Sequence, residues 1–400
     1  MTVSPPRFVA LDVLRGLAVA GMVVVTSPGD WGKTYAPLLH AAWNGWTLAD
    51  MVFPTFLFAV GVAMGLSFPR ALTTPEDRKR FWFRVARRVF ALIVLGLILA
   101  WLYVAAIGAG AWFPGKAGLE NIRIPGVPQR IALCYLLAAV LIVFTGRTQS
   151  DGRRDVNPVA IGIAAVAILG LYWAAVTFIP VPGYGAGHLD ELRSLPAYID
   201  RQIFTPAHLW PLGSALWAGP VTYDPEGLLS TFPAMVNTLL GVLAGYVLRR
   251  FPQKAALYIA VAGAILFVAG LLLDPVFVIN KRLWTSSFAL LSSGVSAVAL
   301  AGLLWLLRFP VAERALTPLK VLGANAILVF TLSIVLGMVY SFPFFGSGAH
   351  RTSIQNQANT FALGFISDPY VASLACAMVM LVLITAIVWP LYRRSIFLRL

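Results

Sequence analysis

The segment at residues 26–54 reads TSPGDWGKTYAPLLHAAWNGWTLADMVFP and lies between two long apolar segments. It contains His40, and ten residues later Asp50, where the second apolar segment begins. A base and an acid beside a membrane are costly to keep unless they have partners or a function. This segment therefore separates the first two predicted membrane crossings and is the first candidate for chemistry.

The composition of the chain is that of a membrane protein. Of its 400 residues, 59% are hydrophobic and 12% are charged, whereas soluble domains are about half apolar and about a quarter charged. Several apolar runs reach roughly 18 residues, the length with which a helix crosses roughly 30 Å of hydrocarbon. The sequence therefore predicts an all-α, polytopic integral membrane protein.

About ten transmembrane helices are predicted, forming one transmembrane domain over 1–400. Their approximate bounds are 8–25, 47–68, 85–107, 129–144, 159–179, 228–248, 255–273, 286–307, 321–340 and 371–392. Ten spans put both termini on one side of the membrane. That side receives 21 of the 30 Lys and Arg residues, which indicates the cytoplasm. We therefore expect a retained first span, with no cleaved signal peptide, and a long external loop at 180–227.

The net charge of +14 is explained by the retention of Lys and Arg on the cytoplasmic side of the membrane, so nucleic acid is not expected as a partner. The two cysteines, Cys134 and Cys376, lie in apolar runs and predict neither a disulfide nor a metal site. The four histidines all fall in predicted external segments; they are His40, His188, His208 and His350.

Two interpretations of Asp50 are compatible. The spacing of Thr47 and Asp50 fits a capping box, with Thr47 as the N-cap residue and Asp50 in the first helical turn. A carboxylate held at a helix start also suits the orientation of His40 and the stabilisation of its protonated form. The alternative for His40 is an ordinary loop histidine.

Further polar residues lie at the ends of other predicted spans. Asp12 and Arg15, in LDVLRG, have the i, i+3 spacing of a structural ion pair or of a contact to an anionic cofactor. External segments contribute RIPGVPQR at 123–130, YDPEG at 223–227 and NKRLWTSSF at 280–288. Polar groups at several helix ends on one face indicate a site between helices.

Intramembrane asparagines also occur. Asn237 and Asn325 lie within predicted spans, where hydrogen bonding between helices accounts for an amide side chain.

The ordered motifs LDVLRG, HAAWNGWTLADMVFP, RIPGVPQRIA, YDPEGLLST and NKRLWTSSF resemble the heparan-α-glucosaminide N-acetyltransferase family. They look more like its shorter bacterial members, which are linked to N-acetylglucosamine use, and GANA at 323–326 extends the resemblance. The resemblance implies a transmembrane acyltransferase that takes acetyl groups from cytosolic acetyl-CoA and passes them to a small sugar acceptor across the bilayer. It implies His40 as the essential histidine, Asp50 as its acidic partner and no metal. It also implies a bacterial inner-membrane location and allows a homodimer.

The same motifs, together with the end of the first span, supply the candidate substrate- and cofactor-binding residues. These are Asp12, Arg15, Ser27, Trp43, Asn44, Gln129, Arg130, Asp224, Glu226, Asn280, Lys281, Trp284, Ser286 and Asn325. At the end of the first span this chain has Thr26 and Ser27 where the family often has Asn, so a hydroxyl takes the place of an amide.

Two mechanisms and one rival function follow from these residues. His40 is either a general base on the acceptor or an acetyl-carrying nucleophile, and cytoplasmic arginines such as Arg84, Arg87 and Arg88 are candidates for the CoA phosphates. The rival is a transporter of sugars or organic anions that does no acyl transfer. Release of the free CoA thiol discriminates between the two functions.

Overall fold

The computed structural model describes residues 8–67, 74–108, 118–148, 150, 154–214, 220–346 and 351–398. His350 lies outside the described residues. In chain order the helices are α1 (Val9–Thr26), α2 (Leu48–Ser67), α3 (Pro75–Gly108), α4 (Val127–Thr145), α5 (Pro158–Phe178), α6 (Leu195–Phe204), α7 (Thr231–Arg250), α8 (Ala255–Leu273), α9 (Ser286–Leu306), α10 (Pro310–Ala315), α11 (Thr317–Ala324), α12 (Ala326–Ser341), α13 (Ile354–Leu363) and α14 (Pro369–Arg393). Two short strands, β1 (Arg147–Thr148) and β2 (Arg154–Asp155), pair antiparallel.

Within this part of the chain, nine helices are long and apolar enough to cross a bilayer. They are α1, α2, α3, α4, α5, α7, α8, α9 and α14. The pair α11 and α12 makes a tenth if the two helices count as one broken span. The prediction of a polytopic, all-α membrane protein is confirmed.

The predicted ninth span, at 321–340, is wrong as one continuous helix. The chain bends by 87° between α11 and α12, and Asn325 lies at the bend instead of inside a span. Its backbone is not helical, with φ −124° and ψ 39°. Its side-chain Nδ2 donates to the carbonyl of Ile396 at 3.1 Å, and its Oδ1 accepts from the N–H of Leu398 at 2.9 Å. The amide therefore ties the bend to the C-terminal segment.

Two other boundaries differ from the prediction. The helix α3 begins at Pro75, about ten residues before the predicted start of the third span, because a basic but helix-favouring segment precedes the apolar run. The loop predicted at 180–227 contains α6, which begins after Ser194 with Pro196 in its first turn.

The described chain forms two compact units, to which α2 and α9 each contribute residues on both sides of a boundary. The first comprises residues 8–41, 47–56 and 299–398, and the second comprises 42–46 and the described part of 57–298. The prediction of a single transmembrane domain stays a prediction.

The core of the first unit is built on α1, α11, α12 and α14, with Val23, Val321, Val329 and Ile384 among its fully buried side chains.

Glycines allow close helix packing in the first unit. A Cβ placed on Gly16 of α1 would lie 1.8 Å from the carbonyl oxygen of Leu319 in α11. A Cβ on Gly323 of α11 would lie 1.7 Å from the carbonyl oxygen of Asp12 in α1. The two backbones are therefore in direct contact, which fixes α1, the helix that leads into the segment carrying His40.

A second glycine contact joins α7 to the part of α2 in the second unit. Gly61 and Gly65 face Gly241 and Gly245, so both helices carry a G-x-x-x-G pattern. A Cβ on Gly61 would lie 1.9 Å from the carbonyl oxygen of Thr238. In lipid, where apolar burial gives little drive for helix association, such backbone contact is a main source of packing energy.

We expect Gly61→Ala to lower the melting temperature of the detergent-solubilised protein, because the added methyl group forces α2 and α7 apart. Overpacking of this kind costs about 1–3 kcal/mol. Gly162→Ala on α5 is the matched control, since a Cβ there meets no atom within 4 Å. Equal melting temperatures for the two variants, measured by thermal-shift fluorescence, would contradict the packing argument.

Candidate active site

The centre of the candidate site is a contact between His40 and Asp50 in the first unit. Asp50 lies in the first turn of α2 and is 1% exposed. Its Oδ1 lies 2.9 Å from Nδ1 of His40, whose side chain is 46% exposed. An ionised carboxylate only accepts hydrogen bonds, so Nδ1 carries the hydrogen and donates it. This tautomer places the lone pair of the imidazole on Nε2, on the opposite side of the ring.

The second carboxylate oxygen of Asp50 shapes the loop before α2. Oδ2 accepts from the N–H of Ala41 at 3.1 Å, the N–H of Thr47 at 3.0 Å and the hydroxyl of Thr47 at 3.1 Å. The Thr47 hydroxyl also lies 2.7 Å from the carbonyl oxygen of Leu39. One carboxylate therefore holds both ends of the 39–47 loop as well as the imidazole.

The predicted capping box is only half formed. Asp50 does accept from the N–H of Thr47, as the motif requires. The Thr47 hydroxyl, however, points to Leu39 and to the Asp50 carboxylate, and the Asp50 N–H bonds to the backbone carbonyl of Thr47. The reciprocal side-chain bond is lost because the hydroxyl serves the loop that carries His40.

The segment before His40 is anchored to α13 and α14. The N–H of Gly29 donates to the carbonyl of Ser373, and the N–H of Asp30 donates to the Ser373 hydroxyl, both at 3.0 Å. The side chain of Gln355 donates to the carbonyl of Pro28 at 2.8 Å. Sequence reasoning missed Ser373 and Gln355, since they are more than 300 residues away along the chain and belong to no motif.

Three predicted binding residues lie on α1, near its two ends. Nη1 of Arg15 lies 3.7 Å from Oδ1 of Asp12, so these two residues form the expected i, i+3 ion pair. Ser27, which is 1% exposed, caps the other end of the helix. At 1.5 Å per residue, Asp12 and Ser27 are about 22 Å apart along the axis. Asn325 is engaged by the C-terminal segment, as described above.

The second unit brings Trp43 and Asn44 to residues from two distant loops. Trp43 donates from Nε1 to the carbonyl of Leu189 at 2.7 Å, and its ring meets Tyr223 edge to face at 5.1 Å between centroids. Asn44 accepts from Nδ2 of Asn280 at 3.2 Å. The 42–46 segment is thus held in the second unit by side chains as well as backbone.

The 280–288 motif forms a tight turn before α9. Oδ1 of Asn280 accepts from the N–H of Leu283 at 2.8 Å, and the N–H of Trp284 donates to the carbonyl of Lys281 at 3.0 Å. Trp284 has a left-handed backbone, with φ 52°. The hydroxyl of Ser286 donates to the carbonyl of Leu169 in α5 at 2.9 Å. Asn280 and Ser286 therefore hold the turn in place.

Arg130 and Trp284, both predicted, are brought together by the fold. The Arg130 guanidinium lies 5.1 Å from the centre of the Trp284 ring, and each residue is 1% exposed. Nη2 of Arg130 donates to the carbonyl of Gly227 at 2.9 Å and to the hydroxyl of Ser230. Gln129 is also buried, against the backbone of Gly96.

Asn237 lies beside the contact between Arg130 and Trp284 and bonds to the Trp284 ring. Its Oδ1 accepts from Nε1 of Trp284 at 2.9 Å, and its Nδ2 donates to groups of α9, including the Ser293 hydroxyl at 2.8 Å. The expected role of Asn237 in hydrogen bonding between helices is confirmed.

Asp224 and Glu226 are joined by Arg123. The guanidinium donates to Asp224 from Nε at 2.8 Å and from Nη2 at 2.5 Å, and Nη2 also contacts Glu226. Burial alone would lower the pKa of Arg123, but the two carboxylates raise it above its usual value. Arg123 stays charged, so this cluster clamps the 118–126 segment to the YDPEG loop.

Asp200 of α6 is a buried carboxylate that sequence reasoning did not single out. It is 1% exposed, and its Oδ1 accepts from the N–H of Leu228 at 2.8 Å. A Cβ at Gly227 would lie 1.7 Å from Oδ2, so any side chain there would displace the Asp200 carboxylate. Burial raises the pKa of Asp200 to about 7; the negative charge of Asp224 also raises it, whereas Arg130 and Arg201 lower it.

We expect the stability of the protein to fall as the pH rises from about 4 to about 7, because folded Asp200 keeps its proton in this window. An unfolded aspartate has a pKa of about 3.9 and has lost its proton there. Asp200→Asn stays neutral and still accepts from Leu228, so its melting temperature should lack this slope and exceed the wild-type value near pH 8.

The control is Asp190→Asn, at a partly buried carboxylate. Burial alone would raise its pKa, but the hydrogen bonds that Arg193 and Leu192 donate lower it. This variant should keep the wild-type slope between about pH 5 and about pH 8. Parallel curves for the wild-type protein and Asp200→Asn would refute the assignment.

Among the described residues, no group of three or more His, Cys, Asp or Glu side chains could hold a metal ion.

Comparison with known proteins shows what this chain is similar to. Residues 7–148, which include His40, Asp50 and Arg130, match the family model described as heparan-alpha-glucosaminide N-acetyltransferase, catalytic. The chain is 30% identical over 376 residues to the mouse heparan-alpha-glucosaminide N-acetyltransferase, an alignment that covers 85% of this chain and 55% of the mouse protein. The human protein of the same name is 30% identical over 367 residues, with 82% and 53% covered.

The chain thus spans about half the length of the curated relatives that it matches. The match to the family model includes the segment around the His40–Asp50 contact. Over most of its length, this multi-pass integral membrane protein is similar to the heparan-α-glucosaminide N-acetyltransferases.

Proposed function

We propose that the protein transfers the acetyl group of cytosolic acetyl-CoA to an amino sugar or related small sugar on the external side of a bacterial inner membrane. Both relatives are named N-acetyltransferases, which supports acetyl transfer as the reaction. The observation that carries the proposal is the 2.9 Å contact between His40 and the buried Asp50. A half-exposed imidazole oriented by a buried carboxylate is suited to proton transfer and to nucleophilic attack.

In the direct route, His40 is a general base. Nε2 takes a proton from the acceptor nitrogen or hydroxyl as that atom attacks the carbonyl carbon of the thioester. The new C–N or C–O bond forms, the C–S bond breaks and the CoA thiolate leaves. The proton on Nε2 then passes to the thiolate, and Asp50 stabilises the imidazolium in between.

In the two-step route, His40 is the nucleophile. Nε2 attacks the thioester carbonyl, the C–S bond breaks, and the thiolate leaves while the acetyl group stays on the imidazole. The acceptor then attacks this carbonyl, the N–C bond to His40 breaks, and the acceptor proton leaves with solvent. Incubation with acetyl-CoA alone, followed by peptide mass spectrometry, distinguishes the routes, since only the second acetylates His40.

On the donor side, the best candidate for the CoA phosphates is Arg15. It is oriented by Asp12 at 3.7 Å and lies about 18 Å along the axis of α1 from Ser27, which is at the end that leads to His40. A cofactor bound along α1 would have its phosphates at the cytoplasmic end and its thioester near the external loop. Arg84 and Arg87 are poorer candidates because they lie exposed on the surface of α3.

We expect His40→Ala to lower acetyl transfer to an amino sugar by at least about 10²–10⁴-fold, the usual value of general-base catalysis, while the protein stays folded. Because the side chain is half exposed, its loss creates little cavity. The assay is release of the free CoA thiol together with mass-spectrometric identification of the product, beside a thermal melt.

The matched control is His188→Ala. This histidine also lies in a predicted external loop, but its Nε2 bonds a backbone carbonyl, that of Tyr184, instead of a carboxylate. Its loss should leave turnover close to wild type. Near-wild-type turnover in His40→Ala would place the chemistry elsewhere, and no thiol release from the wild-type protein would favour a transporter.

We expect Asp50→Asn and Asp50→Ala to separate the two roles of this carboxylate. The amide of Asn keeps an oxygen for the N–H groups of Ala41 and Thr47. The melting temperature of Asp50→Asn should therefore fall less than that of Asp50→Ala. Both variants should transfer acetyl groups slowly, since neither supplies the negative charge that stabilises the imidazolium form of His40. An Asn variant with full activity would show that the negative charge is not needed.

A further inference from the structure

The helix α3 is too long for the bilayer. Its 34 residues span about 51 Å, against roughly 30 Å of hydrocarbon. Residues 89–108 contain no charged side chain and by themselves fill that thickness. The remaining 14 residues, 75–88, therefore lie at or beyond the membrane boundary over about 21 Å.

This N-terminal part of α3 carries one continuous basic face. Arg80, Arg84 and Arg87 follow one another at i, i+4 and i+7, which places them within about 60° of the helix circumference. All three are exposed. Phe83 and Phe90 lie beside this face and are 67% and 69% exposed. A stripe of three arginines, bordered on one side by two phenylalanines, therefore faces outward at the membrane boundary.

The described part of the chain places no ion pair on this stripe. Among the described residues, no ion pair includes Arg80, Arg84 or Arg87. The neighbouring carboxylates are those of the first turn, Glu76 and Asp77, and Asp77 accepts from Thr74 at 2.9 Å.

Arg88 behaves differently from the three arginines of the stripe. It turns to α4, where its guanidinium lies 4.6 Å from the centre of the Tyr135 ring. The positive charge of the stripe is thus directed outward, whereas that of Arg88 is used within the protein.

We propose that Arg80, Arg84 and Arg87 bind the phosphates of anionic phospholipid headgroups in the leaflet that surrounds the N-terminal part of α3. Guanidinium groups bind phosphate oxygens in a bidentate manner, and basic segments next to a membrane helix are drawn to anionic lipid. Phe83 and Phe90 lie where the acyl chains of such a lipid begin. CoA carries the same phosphate chemistry, but the exposed phenylalanines beside the stripe favour a lipid.

The test uses the full-length protein in a neutral detergent, titrated with phosphatidylglycerol or phosphatidylcholine, with bound lipid counted by native mass spectrometry. The wild-type protein should retain phosphatidylglycerol in preference to phosphatidylcholine, and added salt should weaken that retention. The triple variant Arg80→Gln, Arg84→Gln, Arg87→Gln should retain at least about tenfold less phosphatidylglycerol. The control variant Arg78→Gln, Lys79→Gln removes two charges from other faces of the same segment and should retain lipid as the wild-type protein does.

A second arm separates lipid from cofactor. Acetyl-CoA binding, measured calorimetrically without added lipid, should be unchanged in the triple variant. If the dissociation constant of acetyl-CoA rises in the triple variant while lipid retention stays at the wild-type level, the stripe binds the cofactor and the proposal fails. It also fails if the triple variant and the wild-type protein retain equal phosphatidylglycerol. Should the triple variant not fold, the single charge reversal Arg84→Glu decides between the same outcomes.

Discussion

The buried carboxylate of Asp50 is the constraint on which the arrangement around His40 depends. An anion at the start of a membrane helix loses its water, and this is tolerated only when the protein supplies hydrogen-bond donors in its place. The chain supplies them from within ten residues: the imidazole of His40, the N–H groups of Ala41 and Thr47, and the Thr47 hydroxyl. Because these donors must converge on two oxygens, the loop has little freedom. The group that caps the helix therefore also orients the candidate catalytic base.

Close backbone packing gives this loop a rigid support. Lipid offers little apolar driving force for helix association, so α1 and α11 gain contact by approaching at Gly16 and Gly323, where any side chain would meet a carbonyl oxygen. At the other end of α1, Gly29 and Asp30 bond to Ser373 of α14. A helix fixed at both ends holds the segment that begins at Ser27 and leads to His40.

Several motifs that carry the family resemblance also stabilise the fold. Arg123 clamps Asp224 and Glu226, Asn280 holds the turn before α9, and Asn325 ties the bend after α11 to the C-terminal segment. Buried polar groups in a membrane protein must find partners inside the chain, so a polar motif there is often part of the scaffold. His40 differs because half of its side chain stays exposed after its carboxylate bond is made. That exposure is the physical ground for placing the chemistry on it.

The sequence by itself determined the class of fold, most of the membrane helices and the pairing of His40 with Asp50. The first two depend on apolar runs of bilayer length. The pairing depends on a base and an acid ten residues apart beside a helix start, and on the motifs that resemble the N-acetyltransferase family. The tertiary structure decided the bend at Asn325, the bonds of Ser373 to the first external segment, and the burial of Asp200 against Gly227. Each of these depends on a partner between 27 and 343 residues away. Such a partner leaves no trace in local composition or periodicity, because only the folded chain brings the two groups within hydrogen-bond distance.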